Sequence, residues 1–433
     1  MRSPALIVLI TNNTLAEPAG TERYVMTVAR YLLENGHYPV VYSTRHGTVA
    51  EEIRSLGVPV LDNLDNLSVE PDIIHGHHHL DTACAIFRFP ETPIIAFSHG
   101  VVPWEEAIFP PISRIHAYVT VSQARLKRVH TEGVPSDRTV HLPNFVDTDE
   151  FSVNFTNRRP RRSGSAKALV YGNASHKGLA AIEIACRRHG LKLDRSGHAF
   201  GQTACQPSRL LPGYELIFAS GKAAMEALYC GAEVILSGSH GIGPHITASN
   251  FSDLYNRNFG LGVSCLLPTQ SRVDRAVQSA YRRIQAGDRS VTAAQLHSLS
   301  HRFVLPRLLS LYRDAVSQWE QRRPCGQAQI KEEYAALSRY LHFLKISRTR
   351  DLERFSRLKQ AEQELGQLRR EIDRLRQHPF TFLCSRLARQ WFQCLSSLKR
   401  RDPLRPPAPA PSPCPPPPHR PPVGCDSGSA GWR

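Results

Sequence analysis

The sequence predicts an α/β protein of two doubly wound halves, each a parallel sheet flanked by helices, with a helical extension and a Pro-rich tail behind them. Three observations predict it. Strand-like apolar runs alternate with helical periodicities through residues 1–150, and the alternation restarts after an Arg-rich linker, which is the pattern of parallel sheets with helical crossovers. At 433 residues the chain is too long for one core, so two domains plus appendages are expected. Beyond about Trp319 the composition turns to charged helical repeats and then to proline.

The elements follow in order. Residues 6–10 read as a first strand, since five apolar residues before Thr11-Asn12-Asn13 are too few for a signal peptide. Residues 22–35 read as a helix with Val25, Val28, Ala29, Leu32 and Leu33 on one face and Gly36 as its stop. Strands are expected at 40–43, 73–75, 94–98 and 117–121, with helical stretches at 49–55 and 123–131. Val140 and Leu142 signal a short strand that Pro143 ends, because proline cannot donate to a ladder. In the second half the expected order is strand 168–171, helix 179–189, strand 216–218, helix 222–230 ended by Gly231, and strand 234–237.

Leu358, Ala361, Leu365, Leu368, Ile372 and Leu375 are spaced 3-4-3-4-3, an a/d seam on a charged helix. Self-association through 351–377 is expected, the alternative being a solvated helix packed on the second half. Residues 379–402 are basic and carry Phe382, Leu383, Leu387, Trp391, Phe392, Leu395 and Leu398, which suits a helix in an anionic membrane interface or one packed on the body. Residues 403–433 are Pro-rich and cannot bury a core, so they are expected to be disordered or polyproline-like. The expected division is 1–154, a linker 155–167, 168–318, a helical segment 319–378, the basic segment 379–402 and the tail 403–433.

A net charge of +16 and a pI near 9.6 ask for an anionic partner: nucleic acid, an anionic membrane surface or a phosphorylated substrate. Nucleic acid is not expected, because Lys and Arg concentrate after Trp319 and in the linker, without stacking aromatics interleaved on a sheet. The cysteines run from Cys84 to Cys425 without a CxxC, which suits a reducing cytosol. No run is long and apolar enough to span a bilayer, so a cytoplasmic protein, peripheral on the inner face of the membrane, is expected.

In open parallel sheets, ligands bind beyond the carboxyl ends of the strands. The first such loop reads Glu17-Pro18-Ala19-Gly20-Thr21-Glu22: Gly20 lets a ligand approach the backbone and the next helix offers free N–H groups to an anion, or the loop is an ordinary strand–helix turn. His75-Gly76-His77-His78-His79 invites a metal reading, but neighbours on a short loop rarely converge on one ion, so structural or hydrogen-bonding roles are expected and no metal. His99, in Ser98-His99-Gly100, can donate to a ligand hydroxyl or carry a proton, or it is a surface residue in a turn. In the second half, Lys177 ends the loop Gly172-Asn173-Ala174-Ser175-His176-Lys177-Gly178, where a cation beside helix amides suits a diphosphate. In the run from Phe218 to Gly231, Gly221 and the amides of Lys222 and Ala223 can cap a phosphate. Glu226 is flanked by Ala224, Met225, Ala227 and Leu228, so its carboxylate needs a partner.

These segments together resemble the family-four glycosyltransferases. Pro143-Asn144-Phe145-Val146-Asp147 resembles that family's PNGVD segment with Phe145 for the Gly, and Ala19 to Glu22 its Gly-Gly-x-Glu loop. Residues 71–77, PDIIHGH, look like its PDxxHxH strand end, and Ser98-His99-Gly100 its T/S-H-G element. Residues 172–178 are similar to its G-R-x-x-x-x-K-G loop, one residue shorter and with Asn173 at the Arg; residues 218–226 match its Glu-x7-Glu motif, with Phe218 at the first Glu and Lys222 at a usually apolar position. The resemblance covers residues 1 to about 316 and implies the GT-B architecture of two Rossmann-like domains, transfer of a sugar from a nucleoside-diphosphate sugar to a glycan or lipid-linked hydroxyl, and no bound cofactor. It implies His99 and Lys177 as catalytic residues and Gly20, Asn173, Gly221, Lys222, Ala223 and Glu226 as donor-binding, with Glu226 on the ribose hydroxyls. It also implies that Glu22, His75 and His77 line the cleft on the acceptor side. Phe218 leaves a catalytically degenerate scaffold, assembled through the coiled coil, as the alternative.

Overall fold

The computed structural model describes residues 4–100, 104–151, 166–172, 176–197, 200–201, 206–260, 266–322 and 326–377. Asn173, most of the linker, the basic segment 379–402 and the tail 403–433 lie outside the described residues.

The first half is a seven-stranded sheet of β1 (Ile7–Thr11), β2 (Tyr38–Tyr42), β3 (Val60–Leu61), β4 (Ile73–His77), β5 (Ile94–Ser98), β6 (Ile115–Thr120) and β7 (Thr139–His141), in the order β3-β2-β1-β4-β5-β6-β7 and parallel throughout. β4 and β5 are buried along their whole length, which is why they read as near-continuous apolar runs. The helices α1 (Gly20–Glu34), α2 (Thr48–Ser55), α3 (His79–Arg88) and α4 (Gln123–Thr131) connect and cover the strands. α1 buries Val25, Val28, Ala29 and Leu32 against the sheet core, while Leu33, expected on the same face, lies about 100° further round the helix and is exposed.

The second half is a five-stranded sheet of β8 (Lys167–Tyr171), β9 (Lys192–Ser196), β10 (Leu216–Ala219), β11 (Glu233–Gly238) and β12 (Gly241–His245), in the order β12-β11-β10-β8-β9. Only β12 is antiparallel, and it lies at the edge, where Pro244 faces outward. The helices α5 (Leu179–Arg188), α6 (Pro207–Leu210), α7 (Gly221–Tyr229), α8 (Phe251–Asn256), α9 (Gln270–Ala286) and α10 (Ala293–Ser298) surround it.

Strand order reverses between β1 and β4 in the first sheet and between β8 and β10 in the second. These are the two switch points, and the loops leaving β1, β4, β8 and β10 are the ones that hold most of the candidate residues.

The chain then returns to the first half. In α11 (His301–Arg322), Val304, Leu305, Leu308, Leu309, Tyr312 and Ala315 join the core under the first sheet, and the Trp319 indole donates to the Glu91 carbonyl at 2.7 Å. Residues 301–318, expected with the second domain, therefore pack on the first. An amphipathic stripe announces that a helix will be buried but not against which sheet. Truncating Leu305 or Leu308 to Ala should cost about 2–5 kcal/mol, the range for a buried Leu. The next helix, α12 (Gln327–Gln377), begins on the same side, with Ala336 and Tyr340 buried there and Glu333 paired with the buried Arg114 at 2.6 Å.

A first compact unit runs through Lys345 and a second begins at Ile346. In the second unit the described part of α12 leaves Leu358, Leu365, Leu368 and Ile372 exposed. Among the described residues no helix is long and apolar enough to cross a membrane.

Candidate functional site

At the first switch point, Gly20 opens α1 and a Cβ placed there would meet nothing, so the backbone lies open to a ligand. Glu22, in the first turn, is buried and accepts from the Thr21 hydroxyl at 3.1 Å. Burial raises its carboxyl above the usual range, opposed by its own backbone amide, by Thr21 and by the charge of Lys222 from the second half.

The histidines leaving β4 go to different partners. His75 faces the core, hydrogen-bonded to the Tyr312 hydroxyl and stacked on Phe97 at 4.0 Å between centroids. His77 Nδ1 meets His99 Nε2 at 3.0 Å, His78 Nδ1 accepts from the Asn13 amide at 3.2 Å, and His79 Nδ1 meets the Tyr340 hydroxyl at 2.8 Å. His78 has φ of +61°, a conformation rare for a side-chain-bearing residue, and such strain collects at functional sites.

His99 is held from three sides. Its backbone N–H donates to Glu106 at 2.6 Å, its ring meets His77 and lies edge-on to Tyr24 at 4.8 Å, and its side chain bonds Asn144 of the PNFVD segment. Ser98 and Arg125 fix the underlying turn: Arg125 donates to the Ser98 hydroxyl at 2.6 Å and to the Glu106 carbonyl at 2.7 Å. Burial pushes the His99 ring down to about 4, with His78 and Lys222 adding to it against Glu106 and Asn144. His99 is thus neutral near pH 7 and can donate from one nitrogen and accept at the other.

Phe145 packs against Tyr24 at 4.7 Å between centroids and is buried in the first core. Phe145 and His99 thus both pack on the Tyr24 ring. Asp147, two residues on, accepts from Arg30 at 2.5 Å through both carboxylate oxygens and from Thr27 at 3.1 Å. Burial works to raise its carboxyl, but Arg30 holds it below the usual range. Asp147, Asp149 and His301 are the one trio among the described residues close enough to share an ion. Arg30 and Arg302 already pair with its carboxylates, so the trio reads as an ion-pair network.

At the second switch point, Lys177 is exposed and its backbone N–H donates to the Gly238 carbonyl at 3.0 Å. Gly178 behind it has φ of +87°, and a Cβ there would run into Pro268. Phe218, at the motif's first Glu, is a strand residue: it pairs with Val170 and Ile235 and is fully buried in the second core. β10 runs into α7 through Ser220 alone, so no loop remains to carry an acidic side chain at that position.

Gly221 opens α7 at φ of +60° and its N–H donates to the Phe259 carbonyl at 2.8 Å. Of the three groups expected to cap a phosphate, the Gly221 amide is therefore taken. The amides of Lys222 and Ala223 belong to the helix's first turn, which has no intrahelical acceptor, and Ser220 makes no side-chain cap.

Glu226 lies one turn beyond Lys222 on the same face, buried, with no ion-pair partner among the described residues. Burial raises its carboxyl to about 7; Lys222 and Arg23 oppose the shift, and Glu150 and Asp147 add to it. Burial also lowers the Lys222 ammonium from its ordinary value, while Glu226, Asp147 and Glu150 hold it up.

Lys222 and Glu226 from the second half thus share one electrostatic environment with Glu22, His99, Glu150 and Arg23 from the first. Sequence reasoning missed Glu106, Asn144 and Glu150 as parts of this arrangement. Asn144 and Glu150 sit inside or beside a segment already singled out. Glu106 follows in a Trp-Glu-Glu run without periodicity, and nothing local distinguishes it.

Residues 18–150 match the family described as Glycosyltransferase Family 4. No curated protein matches the sequence. Among solved structures, a glycosyltransferase from Rickettsia africae ESF-5 superposes with a TM-score of 0.51 at 15% identity, over 72% of this chain and 99% of its own. HepE from Anabaena, solved with UDP and glucose, gives 0.48 at 12% identity, over 73% and 100%. A putative UDP-N-acetylglucosamine 2-epimerase from Listeria monocytogenes gives 0.47 at 10% identity, over 73% and 98%. Residues 18–150 thus carry the Glycosyltransferase Family 4 match, and the two Rossmann-like sheets share the GT-B fold of the Rickettsia africae structure.

Proposed function

We propose that this chain transfers a sugar from a nucleoside-diphosphate sugar to a hydroxyl of a glycan or lipid-linked glycan, without a bound metal. The observation that carries the reading is Lys222 of the second half, whose charge acts on Glu22 and His99 of the first and on Glu226 one turn along its own helix. In it, Glu226 accepts from the ribose hydroxyls, and the diphosphate lies on the amides of Lys222 and Ala223 under the ammonium groups of Lys222 and Lys177. Charge growing on the departing diphosphate is what these groups stabilise. Neutral His99 hydrogen-bonds the transferred sugar, His77 and Glu106 hold it, Gly20 lets the donor approach the backbone, and Glu22 borders the acceptor side. His75 stands behind this layer, tied to Tyr312.

Phe218 favours a second reading, a degenerate scaffold that binds nucleotide without turnover. Release of nucleoside diphosphate from a panel of donors, with and without glycan and lipid acceptors, separates them. Acceptor-stimulated release supports transfer, and saturable binding without release supports the scaffold. Chelation should leave the rate intact; a rate restored only by added divalent ions contradicts the metal-free reading.

We also place the protein in the cytoplasm, attached peripherally to anionic membrane through the basic segment 379–402. Each basic residue near such a surface adds about 1 kcal/mol. Full-length protein should float with anionic liposomes at low salt and a truncation at His378 should not; if both remain in solution, the attachment is wrong.

A further inference from the structure

α12 carries an apolar line that is exposed among the described residues. Leu358, Leu365, Leu368 and Ile372 are 63%, 54%, 56% and 48% exposed, although a Leu or Ile is ordinarily buried. Their spacing with Ala361 assigns heptad positions: Leu358, Leu365 and Ile372 fall at a, and Ala361 and Leu368 at d. A line of period 3.5 stays in contact along its length only with another helix wound around it, so a flat surface does not fit it.

The flanking charges choose the partner. In this register Arg357 and Glu364 stand at g, and Glu362 and Arg369 at e. In a parallel, in-register pair each g residue faces the e residue of the next heptad on the other helix. Arg357 then meets Glu362 and Glu364 meets Arg369, opposite charges in both cases, and symmetry doubles each pair. An antiparallel pair overlapping the whole seam sets Glu364 against another glutamate instead. Ile372 at a with Leu368 at d is the combination that favours two strands.

We propose that α12 pairs with the same helix of a second copy of this chain as a parallel, in-register, two-stranded coiled coil along the seam from Leu358 to Ile372. Self-complementarity of the g and e charges is what selects this chain as its own partner. The pairing is independent of the chemistry in the Rossmann-like halves.

The test is sedimentation of the full-length protein over a concentration series, with four variants. Wild type should show a reversible monomer–dimer equilibrium. Glu364→Lys and Arg369→Glu should each weaken it about tenfold, because each turns the attractive pairs between positions 364 and 369 repulsive on both sides of the dimer. The double variant Glu364→Lys/Arg369→Glu should return it to the wild-type range. Residues 364 and 369 are five apart and do not face each other within one helix, so restoration reads an interhelical contact. Leu365→Asp should leave monomer with unchanged helicity by circular dichroism.

A wild-type chain that stays monomeric throughout overturns the proposal, whether the seam is covered by its own body or by lipid. So does a dimer that ignores the charge reversals, or a double variant as weak as the singles.

Discussion

Replacing Glu226 by Gln probes the site through a group whose protonation the fold has displaced. Burial holds this carboxyl near 7, so in the empty protein it is about half protonated at neutral pH. A ribose diol needs it as an acceptor, hence ionised. Affinity for a nucleoside-diphosphate sugar, whose phosphates are esterified and do not titrate in this range, should therefore improve about tenfold between about pH 6 and about pH 8 in wild type, the one-proton limit. Glu226→Gln should remove that dependence and weaken binding at about pH 8 by about 1.5–3 kcal/mol, the range for hydrogen bonds to a charged group. Stability should move the other way. A carboxyl raised from 4.5 to about 7 favours the folded state most at low pH, and that advantage is lost as pH rises between the two values. The uncharged Gln escapes the loss, so the empty variant should be more stable than wild type at about pH 8 by up to about 3 kcal/mol. Titration calorimetry and urea melts across that range measure both. Wild-type affinity flat with pH, or a variant that binds like wild type at the higher pH, refutes the assignment of Glu226 to the ribose.

Other perturbations test the remaining parts. Lys177→Ala should lower kcat more than it raises KM, because charge on the leaving diphosphate grows toward the transition state; an equal loss in ground-state binding contradicts that role. His77→Ala should lower kcat by releasing the His99 ring, and His77→Asn, whose amide falls near the Nδ1 position, should restore part of it. Equal losses in both variants would show that His77 only fills space. Asp147→Asn should cost about 2 kcal/mol of stability by leaving Arg30 without its buried carboxylate. The carboxyl is held below 3.8, so its contribution is present above that pH and lost as pH falls through the folded value; acid melts of the variant and wild type should converge.

The sequence made the fold legible where strands are buried on both faces. The apolar runs at β1, β4, β5, β6 and β10 were readable because nothing else buries on both sides at that length. Three elements at or near sheet edges were not. β3 is two residues long, β9 reads Lys-Leu-Asp-Arg-Ser, and β12 holds two glycines and a proline, so each depends on its neighbour for its conformation. α3 hid behind its histidines, which suggested a loop, although Ala83, Ala85 and Ile86 lie buried beneath.

At the site, glycine-rich and cationic loops were legible because strand ends must turn there. What escaped was the use of individual groups. Gly221 was readable as a helix start, but only the fold shows its amide spent on Phe259. Phe218 was readable as a lost acid, but only the register shows that β10 leaves no loop to carry one. The pairing of His77 with His99 joins two strands neighbouring in the sheet, and spacing along the chain does not report it.

The central claim is that the loops leaving β8 and β10 hold the nucleotide end of an activated sugar. Photolabelling with azido-substituted nucleoside-diphosphate sugars, followed by peptide mapping, tests it most directly. The account predicts saturable labelling of peptides that include Lys177 and the segment Gly221 to Glu226, suppressed by unlabelled nucleoside diphosphate. Labelling confined to peptides remote from both loops, or unaffected by the competitor, would contradict it.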